Sequence, residues 1–156
     1  MIIRPFKAEF AEACCDVINA SVTAMPGLSN AARFHIISKN VPADLCADLL
    51  TGYSLVVELH GQLVAVGSLA ENGEIRRVYV SPDVQGQGVG HAIMEKLEIA
   101  AQMHGHQQVH IAAAPSAVSF YEGIGYAVVG DEHVEIGGAV FDTMKMTKSL
   151  AEKASV

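Results

Sequence analysis

The stretch that most constrains this chain runs over residues 75–103 and reads as a strand, a glycine-rich turn and a long helix. Residues 75–80 are rich in β-branched and aromatic side chains, and Ser81-Pro82-Asp83 ends the strand because proline lacks the donor a central strand needs. Val89, Ile93, Leu97, Ala100 and Ala101 recur at helical spacing, and Gly105 stands where a C-terminal cap belongs. Between the two elements lies Gln85-Gly86-Gln87-Gly88-Val89-Gly90, so almost bare backbone meets a helix N-terminus. Unpaired N–H groups and the positive end of the helix dipole then converge on one spot, which suits a phosphate or pyrophosphate.

Two other phosphate-binding loops are excluded. A dinucleotide fingerprint starting at Gly86 needs a glycine at 91, which is His91, and one starting at Gly88 needs a glycine at 93, which is Ile93. No Gly-Lys-Ser/Thr follows, so this is not a P-loop. The pattern present is Q-x-x-G-x-G preceded by V-Y-V-S-P, and it resembles the pyrophosphate loop of the GNAT superfamily of acyl-CoA-dependent N-acyltransferases.

A second stretch carries the same resemblance. Ala117-Val118-Ser119-Phe120-Tyr121-Glu122-Gly123-Ile124-Gly125-Tyr126 matches the family signature A-x-x-F-Y-E-x-x-G-[FY], one short strand after the first motif. The match extends over about residues 55–150 and departs in two places. Ala114 stands where many relatives carry an asparagine that helps hold the cofactor, and the loop holds Gln87 and His91 where relatives often have Lys or Arg. Backbone amides then carry more of the pyrophosphate binding.

The order of elements agrees with the resemblance. Residues 2–6 read as an edge strand and 7–20 as a helix with Phe10, Cys14, Val17 and Ile18 on its apolar stripe. Met25-Pro26-Gly27 breaks the chain before helices over 29–38 and 42–50. Residues 54–58 and 62–69 form a hairpin around His60-Gly61, and an Asn72-Gly73 turn leads into the central strand. Residues 108–113 are a strand that, following a crossover helix, lies parallel to 75–80. A helix over 115–123 precedes a hairpin of 126–134 and 139–147 around Gly137-Gly138, and 148–156 reads as a flexible tail. The fold expected is a single α/β (α+β mixed) domain over 1–156. Its central sheet is mixed and mostly antiparallel, flanked by helices. The resemblance adds that one parallel strand pair splays apart and that the pantetheine fits the gap.

Composition bounds the rest. With 51% hydrophobic and 17% charged residues the chain builds a compact core, and no apolar run approaches the roughly 18 residues of a membrane span. The start MIIRPFKAEF lacks the apolar core of a signal peptide, so cytoplasmic location is the expectation. Cys14, Cys15 and Cys46 lack metal-type spacing and read as reduced structural thiols. A net charge of −7 argues against a nucleic-acid surface and mildly favours a cationic acceptor. No metal is expected; His104, His106 and His110 straddle a helix end and a strand start, which reads as a surface loop.

The resemblance implies acetyl-CoA as co-substrate and direct transfer to a primary amine, with a small-molecule acceptor favoured because the compact domain shows no peptide-docking extension. It implies cofactor contacts at Val78, Tyr79, Val80, Gln85, Gly86, Gln87, Gly88, Val89, Gly90, His91 and Tyr121. The first three act through main-chain groups that pair with pantetheine like an added strand. Tyr121 is the candidate acid for the leaving thiolate, the alternative being a packing aromatic beside Phe120. Glu74 is the candidate base, eleven residues before Gln85, the alternative being a solvated turn residue; Glu58 is the second candidate. Arg76 and Arg77 read as solvated strand-face charges rather than phosphate ligands. Met25-Pro26-Gly27-Leu28 and the helix around Phe34 read as a partly apolar acceptor wall. A CoA-binding sensor or interaction module without turnover is the rival from another class. Dimers are common among relatives, so a homodimer through the terminal strands is a further expectation, although no decisive patch marks it.

Overall fold

A computed structural model describes residues 1–136 and 139–150. Among the described residues seven strands fall into two antiparallel sheets. The first has the order β1 (Ile2–Pro5), β2 (Tyr53–Leu59), β3 (Gln62–Leu69) and β4 (Ile75–Val80). The second has the order β5 (Gln108–Ala113), β7 (Ala139–Ser149) and β6 (Ala127–Ile136). Helices α1 (Ala11–Ala24), α2 (Asn30–Lys39) and α3 (Pro42–Leu49) precede β2, α4 (Val89–Met103) links β4 to β5, and α5 (Val118–Gly123) follows β5.

Local chemistry sets the element ends. Both residues of the His60-Gly61 turn have positive φ (52° and 79°), the backbone that matches the right-handed twist of a two-residue hairpin. The Ser29 hydroxyl caps α2 by accepting from the Ala32 amide at 3.1 Å, and Pro42 opens α3. Gly105 (φ +87°) ends α4, with the His106 amide donating to the Ala101 carbonyl at 3.0 Å in the manner of a Schellman cap.

The first sheet is buried on both faces, which is why its central strands read as near-continuous apolar runs. On one face α4 lays Val89, Ile93, Met94, Leu97, Ala100 and Ala101 against Leu55, Val57 and Ala65. Gly67 allows this approach: a Cβ there would lie 3.1 Å from the Cδ1 atoms of Ile93 and Leu97. On the other face Cys14, Ile18, Val22, Leu45 and Leu49 pack over Val56 and Val66. Burial pushes the Cys14 thiol up to about 12, with the adjacent Cys15 acting in the same direction, so it stays protonated as a structural thiol.

The two sheets touch through β4 and β5 at one point. A single parallel bridge joins Glu74 to His110, with the His110 amide donating to the Gly73 carbonyl at 3.2 Å. Gly73 permits the contact, since a Cβ there would lie 3.2 Å from His106 Nδ1 and 3.4 Å from the Gln108 carbonyl oxygen. Beyond this bridge β4 and β5 belong to different sheets, so their facing edges keep unpaired backbone groups. The expected parallel pair is therefore present and splayed.

Three expectations change. The first helix is displaced from 7–20, because a 3-10 turn (Ala8–Phe10) leads into an α1 that starts at Ala11 and runs to Ala24. Residues 148 and 149 belong to β7, and the Leu150 amide donates to the Gln107 carbonyl at 2.9 Å, so the tail expected from 148 does not begin there. The helix over 115–123 is split into a 3-10 turn (Pro115–Ala117) and α5. The Gly137-Gly138 turn and residues 151–156 lie outside the described residues.

Candidate active site

A cleft of about 730 Å³ occupies the gap between β4 and β5. One wall is residues 74–80, and the far wall is residues 111–114 with Phe120 and Tyr121. The glycine loop lies at the C-terminal end of β4, and Ser21, Ala24, Met25 and Pro26 from the end of α1 add a further wall.

At the loop end Gly86 (φ +83°) and Gly88 (φ +79°) adopt the left-handed backbone that glycine alone accepts without strain. Gly88 is the N-cap of α4, and no side chain caps this end. The first intrahelical bond runs from the Ala92 amide to the Gly88 carbonyl at 3.0 Å, which leaves the amides of Val89, Gly90 and His91 as the orphan donors of the first turn. Gly90 serves a different purpose. Its φ is ordinary, but a Cβ there would lie 3.1 Å from Phe120 Cζ, so it lets the second motif pack against the first.

Along β4 the register slips by one residue. Val66 faces Tyr79 and Ser68 faces Arg76, so Gly67 alone opposes both Arg77 and Val78. This is a β-bulge, and Arg77 takes the left-handed conformation at φ +58°. The bulge re-aims the chain at the point where the strand borders the cleft. Arg77 is held by Asp48 of α3, its Nε donating to Oδ2 at 3.0 Å, while Arg76 Nη2 pairs with Oδ1 of the same carboxylate. Burial acts to raise the Asp48 carboxyl, but hydrogen bonds and charge from the two guanidiniums outweigh it and hold the group below its ordinary value. Arg76 is half-buried and Arg77 exposed, as expected of a strand-face charge, but both are paired with Asp48 and line the cleft.

Tyr121 is 6% exposed and borders the cleft. Its ring meets Phe120 edge-on at 5.2 Å and Tyr126 at 5.7 Å, and its carbonyl accepts from the Tyr126 amide at 3.0 Å. Tyr126 is fixed in turn, its hydroxyl donating to Glu98 Oε2 at 2.9 Å while Lys148 Nζ holds Glu98 Oε1 at 2.7 Å. Burial, then the neighbouring Tyr79 phenol, push the Tyr121 hydroxyl well above the usual phenol range, so it carries its proton at neutral pH.

Glu74 lines the cleft where the sheets meet, and its carboxylate lies 3.9 Å from His110 Nε2. Glu58 does not line it: β2 is two strands away, and Glu58 pairs with Arg4 at 3.3 Å. Val78, Tyr79, Val80, Gln85, Gly86, Gly88, Val89, Gly90 and His91 line the cleft, whereas Gln87 does not. Met25 and Pro26 line it, but Phe34 is 71% exposed and stands outside. His104 sits at the end of α4, with Nδ1 at 2.7 Å from the Ala100 carbonyl oxygen, so the three histidines face separate partners.

Two contributors carry no sequence signal. Asp48 lies in an unremarkable helix, and its role depends on α3 crossing the bulge. Arg33 of α2 binds the end of α1, donating from Nε to the Val22 carbonyl at 3.1 Å and from Nη2 to the Met25 carbonyl at 2.9 Å, which fixes the Met25 wall.

The capless helix start, the bulged strand and the splayed gap form a cleft suited to an extended anionic ligand, and comparison with known proteins supplies the family. A family model for the acetyltransferase (GNAT) domain matches residues 30–148, and the chain belongs to the GNAT acetyltransferase family. A protein from Rhodopseudomonas palustris, described as a GCN5-related N-acetyltransferase and a class-II aminotransferase, is 27% identical with a TM-score of 0.91, covering 96% of this chain and 95% of that one. YncA of Salmonella typhimurium, solved with acetyl-CoA, is 21% identical with a TM-score of 0.71 and 100% and 97% coverage. The PaiA N-acetyltransferase of Thermoplasma acidophilum, solved with coenzyme A, is 17% identical with a TM-score of 0.78 and 95% and 98% coverage. Among the described residues no helix is long and apolar enough to cross a membrane.

Proposed function

We propose that this protein transfers the acetyl group of acetyl-CoA to a primary amine by direct attack within a ternary complex. The observation that carries this reading is one continuous cleft with an uncapped helix N-terminus at one end and a buried, protonated tyrosine on its wall.

The free first-turn amides of Val89, Gly90 and His91 bind the pyrophosphate, and the helix dipole adds to the attraction. Main-chain groups of Val78, Tyr79 and Val80 pair with the pantetheine as an added strand, filling the edge that β5 leaves open. The amine nitrogen attacks the thioester carbonyl, forming the C–N bond as the C–S bond breaks. Glu74, directly or through water, accepts the proton the amine loses, and Tyr121 donates its proton to the departing thiolate. Met25 and Pro26 wall the acceptor side, which fits a small molecule.

The test is free-thiol release from acetyl-CoA across amines, polyamines, aminoglycosides and N-terminal peptides, with cofactor-alone controls. Tyr121→Phe is expected to lower kcat on the order of 10²-fold or more while calorimetry shows acetyl-CoA still bound. Binding without release from any acceptor favours the sensor reading, and no binding at all refutes the proposal.

A further inference from the structure

The cleft end away from the glycine loop has a charge pattern that bears on the acceptor. Arg76 and Arg77 both line the cleft there, and both are tied to Asp48. Two guanidiniums share one carboxylate, which leaves one formal positive charge in a protein whose net charge is −7. Asp48 meets Nη2 of Arg76 and Nε of Arg77. Each guanidinium has five donors in a rigid fork, so most of that donor capacity remains for a second planar anion.

This charge does not serve the pyrophosphate. Val80 is three residue steps from Arg77, roughly 10 Å at the rise of a strand, and the loop at 85–90 lies beyond that. The cleft-lining carboxylate nearest the arginines along the chain is Glu74, the residue before β4. Two guanidiniums and a carboxylate within three residues of one another along the chain match a molecule that is itself a zwitterion.

We propose that the acceptor amine carries a carboxylate: Arg76 and Arg77 hold that carboxylate, and the amine is thereby directed towards Glu74. The substrate class is a free amino acid or a close relative. This inference rests on the acetyl-transfer reading above. Asp48 acts as the positioning residue, since it fixes both guanidiniums without touching substrate.

The experiment compares kcat/KM for thiol release from acetyl-CoA over L-amino acids, their primary amides and the corresponding decarboxylated amines, for example leucine, leucinamide and 3-methylbutylamine. The best amino acid is expected to exceed its amide and its decarboxylated amine on the order of tenfold or more, since either partner leaves the cationic site unmatched. The amide has the less basic amine, so the availability of free amine alone runs against this order. Arg76→Gln is expected to bring the acid-to-amide ratio close to one. A ratio near one in the wild type, or amides faster throughout, overturns the inference, as does a ratio that Arg76→Gln leaves unchanged. If Arg76→Gln does not fold, the wild-type ratio decides alone. Activity confined to polyamines, aminoglycosides or peptides also overturns it and leaves acetyl transfer standing, whereas no release from any amine removes the underlying reading.

Discussion

Arg77 offers the sharpest test of the bulge, because glycine and alanine should rank there in the reverse of their usual strand order. In a regular strand, replacing Gly by Ala stabilises by roughly 0.5–1 kcal/mol, since glycine loses more freedom on folding. At φ +58° an L side chain instead carries a strain of about 1–2 kcal/mol that glycine does not. Both variants lose the same ion pair to Asp48, a partly exposed contact that contributes roughly 0.2–1 kcal/mol, so that term cancels in the comparison. The balance leaves Arg77→Gly more stable than Arg77→Ala by roughly 0.5–1 kcal/mol. For a domain of this size that is about 1–4 °C in Tm, resolvable by calorimetry with urea titration as a second measure. If Arg77→Ala equals or exceeds Arg77→Gly in both, the left-handed bulge is wrong, and with it the account of how β4 turns towards the cleft.

Other consequences concern the loop, the second motif and the core. Gly88→Ala places a Cβ on a left-handed N-cap, at about 1–2 kcal/mol in stability; acetyl-CoA affinity measured by calorimetry should fall, since the same backbone presents the anion donors. Lys148→Met leaves Glu98 holding only the Tyr126 hydroxyl, and a loss of about 1–3 kcal/mol is expected in urea titration; no change would mean the pair does not anchor Tyr126. The Cys14 thiol is raised in the fold from 9.0 to about 12, so the unfolded chain releases this proton first as the pH rises. Its contribution is fully present below pH 9 and is lost between 9 and 12, so Cys14→Ala should flatten the decline of stability across that window.

Local signals in the sequence are strong wherever a residue type has few alternative uses. Gly86 and Gly88 stand where φ must be positive, and Pro82 stands where a strand must stop, so the strand–loop–helix unit is legible from residue types and spacing alone. Gly90 reads as a third member of the same set, but its spacing cannot reveal that it makes room for Phe120. Tyr121 and Glu74 are the acid and base candidates that the motifs single out, and both line the cleft. Glu58 is not separable from Glu74 by type, and only the strand order places it out of reach beside Arg4.

The bulge marks the boundary between the two kinds of information. Nothing in Arg76-Arg77-Val78 signals an extra residue, since no glycine marks the left-handed position. Register is a property of two strands together, fixed here by Gly67 facing α4 and by Asp48 reaching across from α3. The sequence by itself determined most elements, the glycine loop and the family, because these depend on backbone freedom and spacing within short stretches. The tertiary structure decided which charges line the cleft and the partners of each ionisable group. Those depend on side chains far apart in the chain, and solvent exposure and Coulomb attraction act through space rather than along it.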